Sequence, residues 1–257
     1  MAKVRDILLK IEEFASLDLQ EEYDNSGLII GDYEKEVNAV LITMDVTLEV
    51  IEEAIDKGCG LIVSHHPLIF QPIKYITLDT LQGEIIISAI KNDIAIYAAH
   101  TNVDNADENI AREFMNLLNI ENLCPMIDSP AMKASLEKPC TFKELIDKVK
   151  EITGDTNIKS IGSLDDIVEE ISFANGANGG DKELLVQAGA VSDVFITSEI
   201  KYHLAIMAKQ LGLNVIECGH FESEREFFNL ISRKLSGNIE GVKIINSASS
   251  VSPYNAH

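Results

Sequence analysis

The sequence predicts an α/β protein in which parallel strands are joined by crossover helices. Short runs of β-branched residues alternate with amphipathic helical stretches, and polar residues follow directly after each run. Because ligands collect beyond the carboxyl ends of strands in open α/β sheets, these polar residues predict one active face or cleft. The predicted strands are 39–43, 61–63, 94–99, 171–174, 194–197 and 215–216.

One proline-rich interval interrupts this alternation. Residues 121–166 carry three prolines before a short predicted helix, 141–153. Thr141 and Glu144 form a capping box at the start of that helix, and Gly154 is placed to end it. The other predicted helices are 48–57, 83–91, 105–118, 181–188, 202–211 and 223–235.

The interval separates two approximate lobes, 1–125 and 126–257, of one unit that spans the whole chain. Apolar residues make up 46% of the 257 and charged residues 25%, which is typical of a globular protein. At this length about three quarters of the surface of the unfolded chain can be buried. The chain is therefore long enough for a substantial core.

The charge balance disfavours nucleic acid as a partner. Lysine and arginine number 21 against 42 aspartates and glutamates, so the formal net charge is −21. Binding to the phosphate backbone of a nucleic acid requires clustered basic residues that displace counterions. The negative electrostatic field of this chain opposes such binding. A local basic patch would be needed to overcome that repulsion.

Compartment signals indicate a cytoplasmic protein without a membrane segment. The apolar runs are far shorter than the roughly 20 residues that cross a bilayer. The N-terminal stretch lacks the apolar core of a signal peptide. The cysteines have no paired metal-binding spacing, and we interpret them as reduced thiols: Cys59, Cys124, Cys140 and Cys218.

Histidines at strand ends are the most informative feature. Five of the six follow predicted strands: His65, His66, His100, His203 and His220. A single histidine of this kind is more often a satisfied, partly buried side chain than a ligand. Together with nearby carboxylates, however, neutral imidazoles suit borderline divalent metals such as zinc, iron, manganese or nickel.

The number of candidate ligands favours two ions over one. A single catalytic zinc usually takes three protein ligands, and the strand-end motifs offer more than that. A carboxylate that bridges two ions is the economical arrangement. Asp104 follows His100 by four residues, and His220 and Glu224 share one face of a helical turn. The spacing alone leaves Glu222 as an alternative to Glu224.

Several other polar residues have two interpretations each. Unligated His100 is either a proton relay or a core or capping histidine. His203 with Lys201 either meets an anionic substrate or belongs to a solvated helix start. The glycine-rich segment 175–181 either presents backbone N–H groups to phosphate or leads into a helix that Asp181 caps.

One further segment near the N-terminus has the same ambiguity. Asp24 and Asn25 lie in an Asp-Asn-Ser-Gly run, for which a turn is the default interpretation. The alternative interpretation is that the side chains of Asp24 and Asn25 reach into the active cleft.

Four motifs in order resemble one known family. SHHP follows one predicted strand, HTNVD the next, TSEIKYH comes later and GHFESE lies near the end. In this order they resemble the Nif-three-like family, whose members are often called GTP cyclohydrolase 1 type 2 homologues. Residues 22–28, EYDNSGL, resemble the N-terminal signature of that family. The likeness covers roughly residues 20 to 230.

The resemblance implies a dinuclear metal site and an assembly. It places the ligands on His65, His66, Asp104, His220 and Glu224, and puts His100 and His203 beside the metals. It also implies two interlocked α/β lobes with mixed, largely parallel sheets and the metals in the cleft between them. The C-terminal segment would contribute ligands to that cleft, and the chain would form a toroidal homohexamer of dimers.

Three classes of function follow from these observations. The leading hypothesis is a metal-dependent hydrolase of a small, nucleotide-like substrate, since two divalent ions activate water and polarise the bond under attack. A non-enzymatic metal-handling protein uses the same ligands. A regulatory or nucleic-acid-associated scaffold is the third, and the net charge argues against it.

Overall fold

A computed structural model describes residues 1–120, 122–154 and 157–254. His257, the sixth histidine and the end of the second predicted lobe, lies outside the described residues, as does Glu121 at the start of the proline-rich interval. Among the helices that are described, none is both long and apolar enough to span a membrane. All four cysteines are free thiols.

The described residues form strands and α-helices that alternate along much of the chain. The strands are β1 Ala2–Lys3, β2 Gly27–Ile30, β3 Glu36–Val37, β4 Ala39–Thr43, β5 Leu61–Ser64, β6 Ala95–Ala98, β7 Cys124–Pro125, β8 Met132–Thr141, β9 Lys159–Ile161, β10 Ile167–Ala174, β11 Val194–Thr197, β12 Asn214–Glu217 and β13 Lys243–Asn246. The helices are α1 Val4–Glu12, α2 Leu48–Asp56, α3 Leu81–Lys91, α4 Thr101–Asp104, α5 Ile110–Leu117, α6 Phe142–Thr153, α7 Lys182–Val191, α8 Tyr202–Leu211, α9 His220–Glu224 and α10 Glu226–Leu235.

The first of two compact units comprises Met1–Glu108 and Phe227–Val251. Its five-stranded sheet has the order β13-β4-β5-β6-β2, in which only β2 is antiparallel to its neighbour. All residues of β4, β5 and β6 are buried, as expected of parallel strands covered on both faces. Helices α2 and α3 pack apolar residues on this sheet.

The second unit comprises residues 109–226 and, among the described residues, 252–254. Its six-stranded sheet has the order β7-β8-β10-β11-β12-β9. Strands β10, β11 and β12 are parallel, while β7, β8 and β9 pair antiparallel. Both sheets are therefore mixed, and the predicted α/β class is confirmed.

The predicted caps are confirmed and explain where several helices begin and end. Thr141 Oγ1 accepts from Glu144 N, and Glu144 accepts from Thr141 N at 2.7 Å, so the capping box is present. Gly154 ends α6 in the left-handed conformation at φ 69°. Asp181 caps α7 by accepting from Glu183 N at 2.7 Å.

Two predicted helices were wrong in detail, and one long strand was not predicted. Residues 105–118 do not form one helix, because Asn109 caps a new helix, α5, by accepting from Arg112 N. Residues 223–235 belong to two helices, α9 and α10. The proline-rich interval contains the long strand β8, and Pro139 is tolerated there because the register between β8 and β10 shifts at this point.

Strand register places the polar strand ends of the first unit beside one another. Thr43 pairs with Ser64, and Ser64 pairs with Ala98, so β4, β5 and β6 end at the same level. The residues that follow these ends are Asp45, the pair His65 and His66, and His100. The sheet thus brings them to one edge.

The Glu53 carboxylate fastens the segment after β13 to helix α2. Its oxygens accept from Ser247 Oγ at 2.6 Å, Ala248 N at 2.9 Å and Ser249 N at 3.0 Å, and Lys57 forms an ion pair with it. Burial alone would raise the pKa of Glu53. The donated hydrogen bonds outweigh burial and hold the pKa at about 2, against an ordinary value of 4.5.

These hydrogen bonds to Glu53 make the stability of the first unit depend on pH. The pKa of Glu53 is lower in the folded state, so its contribution is complete above pH 4.5 and is lost as the pH falls towards 2. We expect Glu53→Gln to lower the free energy of unfolding by about 2–3 kcal/mol at pH 7. Urea unfolding at several pH values should show this difference shrinking towards zero near pH 2. An equal loss of stability at pH 7 and at pH 2 would contradict this role. So would the same loss in Glu52→Gln, which changes a residue on the exposed side of α2.

Candidate metal centre

Three histidines of the first unit form a compact cluster. The ring centroids of His65 and His66 lie 5.0 Å apart, those of His65 and His100 5.2 Å, and those of His66 and His100 5.6 Å. One ring nitrogen from each lies within 4.8 Å of the others. His65 is fully buried, and the buried Phe227 ring packs 4.9 Å from it. The two adjacent histidines, which would point oppositely on a continuing strand, thus lie on the same side.

The Nδ1 atom of each clustered histidine faces an oxygen acceptor. His65 Nδ1 lies 3.0 Å from the Ala99 carbonyl oxygen, and His66 Nδ1 lies 2.9 Å from Asp45 Oδ1. His100 Nδ1 lies 2.8 Å from Asp24 Oδ1. A carbonyl or ionised carboxylate only accepts, so each Nδ1 carries the hydrogen and each neutral ring keeps its lone pair on Nε2. This tautomer leaves Nε2 able to bind a metal, and such oxygen partners on the other ring nitrogen are typical of metal-binding histidines.

Asp24 has a larger role than the turn that its sequence context predicts. Its fully buried carboxylate accepts from His100 Nδ1, from Ser26 Oγ at 2.8 Å, from Thr101 N at 3.1 Å and from Thr101 Oγ1. Burial raises its pKa, but the hydrogen bonds from His100 and Thr101 outweigh burial and leave the pKa well below its ordinary value. Asp24 is therefore ionised at neutral pH and holds the orientation of His100.

Asp104 ends the short helix α4 and lies close to the cluster. The helix begins directly after His100, so its first turn carries the carboxylate back towards the strand ends. Asp104 is buried, and its Oδ2 lies 4.0 Å from His65 Nε2, which is beyond hydrogen-bond distance. The first unit thus groups His65, His66, His100 and Asp104.

The second unit contributes a histidine and a glutamate from one helix. Gly219, at φ 86°, turns the chain from β12 into α9, and His220 is the first residue of that helix. One helical turn later, Glu224 Oε2 lies 3.2 Å from His220 Nε2. Glu224 is buried, and Asn175 Nδ2 donates to its Oε1 at 3.4 Å. The helix register thus brings Glu224 to His220.

The glycine-rich segment 175–181 wraps against this pair. Gly176 has φ 60°, and a Cβ at this position would collide with Glu224 Oε1. Its carbonyl accepts from Ser198 Oγ, and Asn178 Nδ2 donates to Asn175 O at 2.8 Å. Segment 175–181 therefore fixes the Glu224 carboxylate.

Replacing Gly176 with alanine should weaken metal binding by about 10-fold or more, because the new methyl would displace the Glu224 carboxylate, a candidate ligand. Gly212→Ala is the matched control: its φ of 72° imposes similar backbone strain, but its Cβ would meet no atom within 4 Å. Chelator competition measures the metal affinity of both variants, and urea unfolding their stability. Equal metal affinity in the two variants would contradict the steric role of Gly176.

His203 and Lys201 lie at the start of α8, and both are exposed. No side chain caps this helix, and the first turn carries no acidic residue. A Cβ at Gly180 would lie 3.6 Å from Lys201 Nζ, so the lysine amine lies beside segment 175–181. These positions suit contact with an anion and show no role as metal ligands.

The donor set fits borderline divalent ions. Neutral imidazoles with a defined Nε2 lone pair, together with buried carboxylates, match zinc, iron, manganese or nickel better than soft ions, which prefer thiolates. The first unit has the cluster of three histidines with Asp104, and the second has His220 with Glu224. Both units therefore carry candidate metal-binding groups.

Comparison with known proteins agrees with this arrangement of motifs. A protein of Clostridium perfringens named GTP cyclohydrolase 1 type 2 homolog is 36% identical over 98% of each chain, and one of Clostridium acetobutylicum with the same name is 34% identical over 98% of each. The structure titled reduced HcgD from Methanocaldococcus jannaschii is 28% identical, with a TM-score of 0.84 over 95% of this chain and 97% of that one.

A more distant structure supports the fold alone. The Bacillus cereus protein related to NIF3 has a TM-score of 0.89 at 24% identity, over 100% of this chain and 99% of that one. Residues 2–253 match the family described as Duf34/NIF3 (NGG1p interacting factor 3). The resemblance of the four ordered motifs is thereby confirmed, and the chain belongs to the Duf34/NIF3 family.

Proposed function

We propose that this protein is a dinuclear metal-dependent hydrolase of a small, nucleotide-like substrate. The observation that carries the proposal is the cluster of three histidines, each with Nδ1 held by an oxygen acceptor and its lone pair on Nε2. A purely structural histidine needs no such uniform tautomer. The name of a relative supports hydrolytic chemistry, because a protein of Helicobacter pylori is called GTP cyclohydrolase 1 type 2.

Five residues are proposed as the metal ligands: His65, His66, Asp104, His220 and Glu224. When bound, two divalent ions supply an activated water and a Lewis acid for the bond under attack. Glu224 would be held ready as a ligand, because Asn175 and Gly176 hold its carboxylate in a defined position. Zinc, iron, manganese and nickel all suit this set.

His100 is proposed as the general base and acid beside the metals. Its Nε2 would accept the proton from the attacking water, while its Nδ1 keeps its own hydrogen and donates it in a hydrogen bond to the Asp24 carboxylate. The Asp24 carboxylate stabilises the imidazolium that forms, so the proton is ready for the leaving group. General acid–base catalysis of this kind contributes about 10²- to 10⁴-fold to a rate.

Hydrolysis by the purified, metal-loaded protein tests the proposal. GTP and other phosphorylated or cyclic substrates should be hydrolysed by the loaded protein and not by the same protein after chelation. His66→Ala should remove the activity together with the metal. Stoichiometric metal binding without any turnover would instead favour a metal-handling protein that uses the same ligands.

His203 and Lys201 are proposed to meet an anionic group of the substrate. We expect His203→Ala to raise KM for a phosphorylated substrate by about 10-fold through the loss of one hydrogen bond, with metal content unchanged. Lys209→Ala, at the exposed far end of α8, is the control and should leave KM unchanged. Loss of metal from His203→Ala would show that this histidine is a ligand.

We also propose a homohexamer built as a toroid of dimers, which the family resemblance implies, and a cytoplasmic location, which the compartment signals of the sequence favour. Light scattering of the purified chain should then give six times the mass of 28.3 kDa. A monomer or a dimer at micromolar concentration would contradict this assembly. Nucleic acid stays a disfavoured partner because of the net charge of −21, and salt-sensitive DNA binding that survives metal removal would overturn that expectation.

A further inference from the structure

Two exposed aromatic rings lie next to the histidine cluster. Phe70 is 40% exposed and Tyr23 is 66% exposed. All nine phenylalanines lie within the described residues, and Phe70 is the only one of them that is exposed. Leaving a large apolar ring in water forfeits the burial energy that the other eight phenylalanines gain at least in part.

The two rings lead from solvent to the clustered histidines. The Tyr23 and Phe70 centroids lie 6.3 Å apart at an interplanar angle of 68°. The Phe70 and His100 centroids lie 6.2 Å apart at 85°. Both contacts are edge-to-face. In this geometry the faces of the two rings are not stacked on each other. Ring surface therefore stays available directly beside His100, the proposed general base.

Hydrogen bonds hold the backbone beneath both rings. Asn25 Nδ2 donates to the Ile69 carbonyl at 2.6 Å and so ties the Tyr23 segment to the Phe70 segment. Gln82 Nε2 donates to the Leu68 carbonyl at 2.7 Å. Asp24, next to Tyr23, is fixed by its donors from His100 and Thr101. The backbone that carries both rings is thus held in place before any ligand arrives, which lowers the entropic cost of binding.

The surroundings of the rings are acidic. Burial and the carboxylates of Glu21, Asp24 and Asp104 together raise the pKa of Tyr23. Negative side chains repel a phosphate or carboxylate group at this position. They favour a neutral ring over an anionic group at this position, and a planar ring is attracted to an aromatic side chain in offset-stacked or edge-to-face geometry.

We propose that Phe70 and Tyr23 form a stacking platform that binds the planar nitrogen heterocycle of the substrate next to His100. The proposal rests on the hydrolase function proposed above and adds which part of the substrate is recognised and by which residues. An aromatic side chain can stack with any of the bases, since every base has a π face. The platform therefore selects for a planar ring and leaves phosphate recognition to other residues.

Binding to the metal-free protein tests the platform independently of hydrolysis. The affinity of guanosine and of ribose 5-phosphate is measured by ligand-observed NMR on chelated protein. We expect Phe70→Leu and Tyr23→Leu each to weaken guanosine binding by about 10-fold or more while ribose 5-phosphate binding is unchanged. Tyr23→Phe keeps the ring and should retain affinity within about twofold.

Tyr75→Leu is the matched control for loss of an exposed ring. Tyr75 lies five residues after Phe70, is exposed, and has no ring contact within the described part of the chain. It should not change guanosine affinity. Unchanged guanosine binding in Phe70→Leu and Tyr23→Leu, or equal weakening of both probes, would overturn the platform. A change of mass in light scattering of these variants, with unchanged guanosine binding, would assign the rings to contact between copies of the chain.

The two proposals fail in different ways. Loss of guanosine affinity in the ring variants supports the platform even where the metal-loaded protein hydrolyses nothing, and the hydrolase proposal then falls alone. Hydrolysis whose KM and kcat are the same in Phe70→Leu and in the unaltered protein supports the hydrolase and removes the platform.

Discussion

Replacing Asp24 with asparagine should lower the rate of hydrolysis about 10²- to 10³-fold while metal content stays the same. The carboxylate accepts hydrogen bonds from four donor groups. An amide in its place has one acceptor oxygen, and its NH₂ group cannot accept from the donors that it faces. His100 then loses both its fixed tautomer and the charge that stabilises its imidazolium. Steady-state kinetics and elemental analysis on the same preparations measure the two effects.

A double-mutant cycle separates positioning of His100 from a general loss of structure. If Asp24 acts through His100, Asp24→Asn should change the rate less than about twofold in a protein that already carries His100→Ala. Ser26→Ala removes one donor to Asp24 and keeps the carboxylate, so it should cost little activity. Full additivity of Asp24→Asn and His100→Ala would contradict the pairing, and loss of metal in Asp24→Asn would make His100 a ligand.

Replacing Glu224 with alanine should weaken metal binding by at least about 100-fold and abolish hydrolysis. Glu224 is buried beside His220, at 3.2 Å between Oε2 and Nε2, and receives a hydrogen bond from Asn175. Metal-binding titrations and activity assays on the same protein check both effects.

The neighbouring Glu222 supplies the matched control for this substitution. It lies on the same short helix, two residues before Glu224, and is half-buried. Glu222→Ala should retain metal affinity within about threefold. An equal loss of metal affinity in Glu222→Ala and Glu224→Ala would contradict the assignment of Glu224 as the ligand on α9.

The strands of the central sheets could be predicted from the sequence because their residues are buried on both faces. Runs such as 39–43 and 194–197 are continuously apolar or β-branched, and both are strands in the structure. Strand β8 was missed because its exposed residues and Pro139 carry no such signal. Its pairing with β10 depends on a partner that is about 30 residues distant in sequence.

The candidate ligands were visible in the sequence, but their hydrogen-bond partners were not. Histidines stand out because they follow strand ends. Asp24 reads as a turn residue, and its 2.8 Å contact with His100 Nδ1 joins positions 76 residues apart. Asp45 follows the end of β4, yet only the structure shows that it faces His66. Periodicity and local motifs do not encode such long-range pairs.

Metal stoichiometry of the purified, tag-free protein tests the central claim most directly. The protein is chelated, reconstituted separately with zinc, iron, manganese and nickel, and measured by elemental analysis per mole of chain. The dinuclear site predicts close to two ions per chain for at least one of these metals, and a clear loss in His65→Ala. No bound metal after reconstitution with any of the four would contradict the site and the hydrolase that depends on it.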